Sequence, residues 1–256
     1  MVVSLIKKFH DEVAHAVIAS GLQDSKLVVA VSGGPDSMAM LHALQMTCSE
    51  TGLRLVGAHL NHRLRGQGAY DDANFVKSVF QTLNIPYRAR DIDVKQHASK
   101  NKWSIEEAAR NLRHQFLLEV VKETKSSAVA LGHNADDQAE TILMHIIRGA
   151  GLKGLKGMSL HSKRSIGGGT INIFRPLLNF SRATIESYCS KVNLQPRQDP
   201  TNYSSEYFRN SIRLHLTPKI EKFNPKATQA FSRLSQSVSR DLSLLEKLTS
   251  NAIPDV

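Results

Sequence analysis

The sequence of 256 residues predicts an α/β fold, with a doubly wound and mostly parallel sheet followed by a small helical C-terminal region. Three observations predict it. Short runs of branched apolar residues recur in the first part, as in LVVAV at 27–31 and SAVALGH at 127–133. Segments with apolar residues at helical spacing separate these runs, as expected for βαβ units. After Arg148 the pattern changes to a Gly- and Lys-rich stretch and then to helices.

Each element follows from its local pattern. An amphipathic helix is predicted at 3–20, and Ser104 with Glu107 is a capping box that predicts a long helix ending near Lys122. The other predicted strands are 53–60, 87–94 and part of INIFRPLL at 171–178. The other predicted helices are 38–46, 70–83, 135–148, 181–192, 205–221 and 225–250, and GGG at 167–169 is expected to be a loop.

Charge is distributed unevenly along the chain. Residues 1–147 carry 16 basic and 16 acidic side chains, whereas residues 148–256 carry 17 basic and 7 acidic ones, so the second part holds the whole net charge of +10. Such a segment is typical of polyanion binding, although a basic surface also promotes solubility. From these changes we expect a core at 1–150, a continuation at 151–220 with a Gly/Lys loop and an edge strand, and a helical extension at 221–256.

Composition excludes several classes of protein. With 41% hydrophobic and 22% charged residues, the chain is neither disordered nor of low complexity. It has no apolar run of the ~20 residues that span a bilayer, and its N-terminus lacks the apolar stretch of a secretory signal. Cys48 and Cys189 form neither a CxxC pair nor a disulfide framework. We therefore expect a reducing, cytoplasmic location and no membrane association.

A glycine-rich loop, VSGGPDS, lies between the first predicted strand and the next helix. Gly33 and Gly34 let the backbone approach an anion closely, and the helix N-terminus presents free N–H groups to it. Ser32 and Ser37 add hydroxyl donors. Asp36 would repel a bare phosphate, so it favours a magnesium–nucleotide site. The GKS or GKT of a Walker A loop is absent; the alternative is a turn with a helix cap.

Acidic residues open the helix that follows the strand at 127–133. In GHNADDQAET, Asp136 and Glu140 are i,i+4 neighbours, and Asp137 and Glu140 are i,i+3 neighbours. Three carboxylates beside a nucleotide site favour a bound cation, although acidic groups also stabilise the positive end of a helix.

Two groups of arginines share helix faces. Arg110 and Arg113 lie on one stripe with Glu106, which a solvated ion-pair face would also explain. Arg209 and Arg213 are i,i+4 neighbours, a spacing suited to clamping a phosphate or RNA.

Together these motifs resemble those of the tRNA(Ile)-lysidine synthases, a family of PP-loop, or N-type, ATP pyrophosphatases. SGGPDS resembles their pyrophosphate loop, and the resemblance covers about residues 25–225. The other segments that carry it, in the family's order, are NHRLRG (61–66), SIEEAARNLRHQFL (104–117), GHNADDQAET (132–141), RGAGLKGLKGM (148–158) and QDPTNYSSEYFRNSIRLHLTPKI (198–220).

The resemblance implies a Rossmann-like fold of the adenine nucleotide alpha hydrolase type. It also implies that ATP adenylates O2 of the wobble cytidine in tRNA(Ile) with a CAU anticodon, after which L-lysine is joined to C2 and AMP leaves. ATP and Mg²⁺ are the implied cofactors. A homodimer is left open.

Site residues follow from the same resemblance. Asp36 and Asp137 are the expected magnesium ligands. The expected catalytic residues are these two aspartates, Arg113 and Glu140. Arg113 would steady the phosphates or the cytosine, and Glu140 would orient the ammonium group of lysine. The expected ATP-binding residues are Ser32, Gly33, Gly34, Pro35, Asp36 and Ser37, and the expected tRNA-binding residues are Arg65, Lys153, Arg209 and Arg213.

Several alternatives stay open at this point. His133 suits substrate contact or a structural role, Lys153 suits a flexible linker, and Asp199 and Asn202 suit a turn. A tRNA thiolase of the same fold would need nucleophilic cysteines or a CxxC, whereas both cysteines lie in predicted helices. An RNA-binding module without catalysis would explain the charge but not SGGPDS with DDQAET. A small-molecule amidotransferase would not explain the basic second part.

Overall fold

The computed structural model describes residues 2–197 and 208–252. Within these ranges the chain forms two compact units that are interleaved along the sequence. The first unit takes the described residues of Met1–Gly132, Leu160–Leu177 and Ala183–Gln198; the second takes those of His133–Ser159, Leu178–Arg182 and Asp199–Val256. This grouping differs from a linear division at residues 150 and 220, because the last two strands return to the sheet of the first unit.

The described residues contain a six-stranded sheet, which lies in the first unit with strand order β3-β2-β1-β4-β6-β5. Its strands are β1 (Lys26–Ala30), β2 (Arg54–Asn61), β3 (Tyr87–Asp91), β4 (Ala128–Ala130), β5 (His161–Ile166) and β6 (Gly169–Phe174). All neighbouring pairs are parallel except β5 with β6. The predicted doubly wound, mostly parallel sheet is confirmed.

The buried centre of the sheet follows from its continuous apolar strands. Val28 of β1 is in register with Val56 of β2 on one side and with Val129 of β4 on the other. Strands covered on both faces need apolar side chains throughout, which is why these runs do not alternate. Phe80 packs so closely on Gly57 of β2 that a Cβ there would lie 2.3 Å from the ring.

The described helices flank the sheet in the first unit or form the second unit. They are α1 (Val2–Ala19), α2 (Pro35–Thr51), α3 (Gln67–Thr82), α4 (Val94–Asn101), α5 (Ile105–Thr124), α6 (Ala135–Ile147), α7 (Leu152–Leu155), α8 (Arg182–Lys191), α9 (Phe208–Ser211), α10 (Thr217–Phe223) and α11 (Ala227–Ala252). A π-helical turn, Ile212–Leu216, joins α9 to α10. In the described part of the chain, no helix is long and apolar enough to cross a membrane.

Several elements differ from the sequence-based prediction. The strand expected at 87–94 ends at Asp91, because the Asp93 side chain accepts the Gln96 N–H at 3.0 Å and caps α4. Strand β5 was not predicted, because HSKRSI is a polar edge strand without a buried apolar run. Its hairpin to β6 turns at Gly168, whose φ of +101° suits glycine. The helix expected at 205–221 is α9, the π-helical turn and α10, with residues 205–207 outside the described ranges.

Candidate active site

The loop that follows β1 is folded around the side chain of Ser37. Ser37 Oγ accepts the backbone N–H groups of Ser32 and Gly33, both at 3.2 Å, and donates to the Gly34 carbonyl at 3.0 Å. Pro35 is the first residue of α2, where its missing N–H costs no helical hydrogen bond. Two backbone donors therefore converge on one oxygen at the carboxyl end of a central parallel strand, where ligands of such sheets bind.

Two glycines allow close packing around this loop. Gly33 has a φ of +95°, and a Cβ there would lie 3.3 Å from Val76 of α3. A Cβ on Gly132 would lie 3.2 Å from the backbone of Asp36 and Ser37. A side chain at either position would displace the loop. This explains why glycine occupies position 33 in the loop and position 132 after β4.

In the second unit, α6 presents carboxylates that bind arginines. Arg213 donates through Nε to Glu140 Oε1 at 2.6 Å and through Nη2 to Asp137 Oδ1 at 3.2 Å. Arg209 donates to the Thr141 hydroxyl at 2.6 Å, and its Nε lies 3.6 Å from Glu140 Oε2. Arg209 of α9 and Arg213, which were expected on one helix face, both contact α6. Arg213 lies in the π-helical turn, a distortion frequent at functional sites.

Glu140 is the most enclosed of the α6 carboxylates, with 2% of its surface exposed. Burial raises the pKa of Glu140, while the hydrogen bond from Arg213 lowers it and the Asp137 charge raises it again. Asp137 also accepts the Asn134 N–H at 3.1 Å and completes the capping box of α6. Asp136 accepts the Arg182 N–H at 2.8 Å, so it anchors the start of α8.

A buried amide holds the Gly/Lys loop in the second unit. Gln138 Oε1 accepts the Met158 N–H at 2.7 Å, and Nε2 donates to the Met158 carbonyl at 2.9 Å and to Ser235 Oγ at 2.6 Å. Ser235 of α11 in turn donates to the Lys156 carbonyl. The Gly/Lys loop is thus fastened at its C-terminal end, while Lys153 on α7 is exposed.

Outside the loop after β1, the predicted site residues of the first unit are Arg113 and Arg65, which have different partners. Arg113 of α5 is close enough to His62, which follows β2, for its charge to add to burial in lowering the pKa of His62 to about 4. Arg65 donates to Asp72 of α3 at 2.6 Å. Asp72 also accepts a hydrogen bond from Arg197, which no sequence motif predicted.

The predicted magnesium ligands lie in different units, with Asp36 in the first and Asp137 in the second. In the described ranges, no group of three or more His, Cys, Asp or Glu residues is arranged to hold a metal ion. Asp199 and Asn202 lie outside the described residues. Among the missed residues, Gln138 lies inside GHNADDQAET and Arg197 directly precedes QDPTN. Both lie in or beside segments that carry motifs, but no motif indicates these two side chains.

A sheet of this topology with a serine- and glycine-containing loop after β1 is the architecture of nucleotide-binding α/β domains. The profile of the PP-loop domain family matches residues 5–220, so the chain belongs to that family. A solved structure with this fold is the U34-tRNA thiolase NcsA from Methanococcus maripaludis with its 4Fe-4S cluster. Its TM-score is 0.75 at 20% sequence identity, over 94% of this chain and 80% of that one, which confirms the fold class.

Within the family, the chain is similar to curated proteins named tRNA(Ile)-lysidine synthase. The protein from Dehalococcoides mccartyi is 39% identical over 226 residues, which cover 88% of this chain and 48% of the relative. The protein from Clostridium acetobutylicum is 42% identical over 227 residues, with the same two coverages. The chain therefore spans about half the length of these curated relatives.

Proposed function

We propose that this chain is a ligase that makes lysidine in tRNA(Ile) with a CAU anticodon. In this proposal, O2 of the wobble cytidine attacks the α-phosphorus of ATP and pyrophosphate leaves. The ε-amine of L-lysine then attacks C2, and AMP leaves with the original O2. The observation that carries the proposal is the sequence identity of 39% and 42% to proteins named tRNA(Ile)-lysidine synthase. The aligned 226 and 227 residues are more than either compact unit contains.

The loop from Ser32 to Ser37 is proposed to bind the phosphates of ATP. Two of its N–H groups converge on Ser37 Oγ, and the N-terminus of α2 adds backbone donors, an arrangement that suits stabilising charge that develops on a leaving group. Anion binding there requires the phosphate oxygen to replace Ser37 Oγ as the acceptor or to use neighbouring donors. The Asp36 carboxylate, in the first turn of α2, suits a cation bound to the phosphates.

Magnesium is proposed as the cation that neutralises phosphate charge when ATP is bound. The donors fit, because magnesium commonly takes one or two carboxylates and completes its shell with phosphates and waters. Asp36 and Asp137 are our candidate ligands. Each oxygen of Asp137 already accepts one hydrogen bond, from Asn134 or Arg213, and a carboxylate oxygen has a second lone pair for a metal.

Glu140 is proposed to hold the ammonium group of lysine. It is a buried carboxylate, but its two oxygens accept hydrogen bonds from Arg213. Lysine binding at Glu140 would therefore require the ammonium to share the carboxylate with Arg213 or to displace it. Arg213 and Arg209 would position this carboxylate in the absence of substrate.

Contacts with tRNA are proposed for the basic second part of the sequence and for Arg65 of the first part. Lys153 is exposed and available to a phosphate, whereas Arg65, Arg209 and Arg213 each contact an acidic or hydroxyl group. Arg113 stays our candidate for steadying the phosphates or the cytosine. A cytoplasmic location and a homodimer stay predictions.

The chemistry of the thiols argues against the alternative of tRNA thiolation. Burial raises the pKa of Cys189 to about 11 and also raises the pKa of Cys48, so both thiols are protonated at neutral pH. A thiol attacks as its thiolate, so raised pKa values disfavour either cysteine as the nucleophile. The likeness to the thiolase NcsA therefore concerns the fold.

Release of AMP from ATP tests the adenylation step. The full chain is incubated with magnesium, lysine, ATP labelled in the α-phosphate and a transcript of tRNA(Ile) with the CAU anticodon. We expect AMP that depends on the tRNA and that is lost in Asp36→Asn but retained in Asp11→Asn, an exposed carboxylate of α1. AMP formed equally without tRNA would contradict the proposal.

A further inference from the structure

Residues 192–197, which follow α8, are hydrogen-bonded to the loop from Ser32 to Ser37. The Arg197 backbone N–H donates to the Gly33 carbonyl at 2.9 Å. The Arg197 carbonyl oxygen lies 4.0 Å from the position that a Cβ on Gly34 would take. Both glycines of SGGPDS therefore lie beside this one residue, which comes from a segment more than 160 positions later in the chain.

The side chain of Arg197 is held by a carboxylate that is shared with another arginine. Arg197 Nε donates to Asp72 Oδ1 at 3.0 Å, and Arg65 Nη2 donates to Asp72 Oδ2 at 2.6 Å. The Asp72 side chain is 13% exposed, whereas that of Arg197 is 46% exposed. The carboxylate is thus enclosed and the guanidinium that it binds reaches solvent.

Helix α3 fixes this carboxylate relative to the loop. Asp72 lies three and four positions before Phe75 and Val76, so the three side chains share a helix face. Phe75 and Val76 are the side chains nearest to the Cβ position of Gly33. The same face of α3 therefore packs against the loop and holds Arg197.

The remaining donors of Arg197 suit a phosphate. Asp72 binds Nε, and among the described residues the Nη1 and Nη2 groups of Arg197 have no hydrogen-bond acceptor. A guanidinium presents its donors in a planar fork that matches two oxygens of one phosphate. A bond at Nε to an enclosed carboxylate fixes the plane of that fork.

We propose that Arg197 binds the polyphosphate of the nucleotide at the rim of the loop, and that Asp72 is the positioning residue that aims it. This inference rests on the proposed use of ATP and adds a phosphate ligand outside the SGGPDS segment. Arg197 would bind the phosphates that leave as pyrophosphate. Tight binding of ATP and of inorganic pyrophosphate should therefore depend on Arg197, whereas binding of AMP should not.

Binding measured without tRNA tests the inference. Calorimetric titration of the full chain with magnesium and ATP, pyrophosphate or AMP gives three dissociation constants for each variant. For Arg197→Ala we expect those for ATP and pyrophosphate to rise about tenfold to a hundredfold, the loss typical of one charged hydrogen-bonding group, with AMP within about twofold. Arg197→Lys keeps the charge but loses the planar set of donors. Its dissociation constants for ATP and pyrophosphate should lie between those of the unaltered protein and those of Arg197→Ala. Arg88→Ala is the control, since Arg88 is 45% exposed and pairs with Glu123.

Asp72 is tested through the KM for ATP in the AMP-release assay. We expect Asp72→Asn to raise KM with little change in kcat or in the thermal midpoint, and Asp72→Glu to restore part of the loss. Pyrophosphate binding by Arg197→Ala equal to that of the unaltered protein would overturn the inference alone. Equal weakening of ATP, pyrophosphate and AMP would also overturn it, because that pattern indicates a structural role. If the unaltered protein binds neither ATP nor pyrophosphate, the proposed function fails as well.

Discussion

Arg213 binds both carboxylate oxygens of Glu140, with Nε 2.6 Å from Oε1 and Nη2 3.0 Å from Oε2. This bidentate geometry joins the π-helical turn to the middle of α6. The Glu140 side chain is 3% exposed and the Arg213 side chain 22% exposed, so water compensates little if one partner is lost. Removing only one of the two charged side chains should therefore destabilise the protein more than replacing both.

Arg213→Met should destabilise the protein by about 3–5 kcal/mol, since it leaves a buried carboxylate without its main partner. The double variant Arg213→Met with Glu140→Met should lose less than the sum of the two single variants. Unfolding in urea gives the free energies. Additive single effects would contradict this account, and Arg88→Met, which breaks an exposed pair with Glu123, should change stability little.

Gln138→Ala should release the Gly/Lys loop. It removes hydrogen bonds to both backbone groups of Met158 and leaves those groups unpaired, so we expect a loss of about 2–4 kcal/mol. Hydrogen exchange at the Met158 amide should accelerate in this variant. Ser235→Ala is the matched control, because it removes a bond to the loop at Lys156 but keeps both bonds of Met158. Unchanged exchange at Met158 would show that the loop is held by other contacts.

Lowering the pH should destabilise the first unit through His114. This histidine is 4% exposed, and burial together with the charges of Arg113, Arg164 and Arg110 lowers its pKa to about 3. Between pH 6.5 and about 3 the unfolded chain binds a proton that the folded chain does not. The free energy of unfolding should therefore decrease as the pH is lowered, by up to ~1.4 kcal/mol per pH unit for this residue.

The substitution His114→Gln tests that origin of acid sensitivity. Urea unfolding at several values between pH 4 and 7 should show a smaller pH slope in the variant than in the unaltered protein. An equal slope in both proteins would assign the acid sensitivity to other groups, such as His62, whose pKa is lowered to about 4 by burial and by Arg113.

The cysteines should be dispensable for catalysis. Cys48 donates to the Leu44 carbonyl inside α2, and the Cys189 thiol lies 3.7 Å from the Pro35 carbonyl. Replacing both by serine keeps a donor at each place, so AMP release and lysine transfer should continue. Complete loss of activity in a double variant with an unchanged thermal midpoint would favour thiol chemistry.

Sequence patterns predicted the elements whose signal is local. The buried strands β1 and β4 are short apolar runs, and Ser104 caps α5 by accepting the Glu107 N–H at 3.1 Å, as its motif predicts. Strand β5 was not predicted, because its pairing with β6 rather than its own composition makes it a strand.

For the candidate site, sequence motifs indicate segments of the chain but not the partners of individual side chains. Ser37, Asp137 and Glu140 are candidates by their motifs, but no sequence pattern indicates that Ser37 Oγ lies inside the loop or that Arg213 binds Glu140. Arg197 was missed because its role depends on Asp72 and Gly33, both more than 100 positions away. Long-range pairing of this kind is fixed by the fold.

Transfer of lysine to tRNA tests the central claim most directly. The full chain is incubated with ATP, magnesium, radiolabelled lysine and a tRNA(Ile) transcript with the CAU anticodon, and acid-precipitable label is counted. We predict ATP-dependent incorporation that is lost in Asp36→Ala and in a transcript whose wobble cytidine is replaced by uridine. AMP release on the tRNA without any incorporation of lysine would contradict the claim and indicate a different nucleophile.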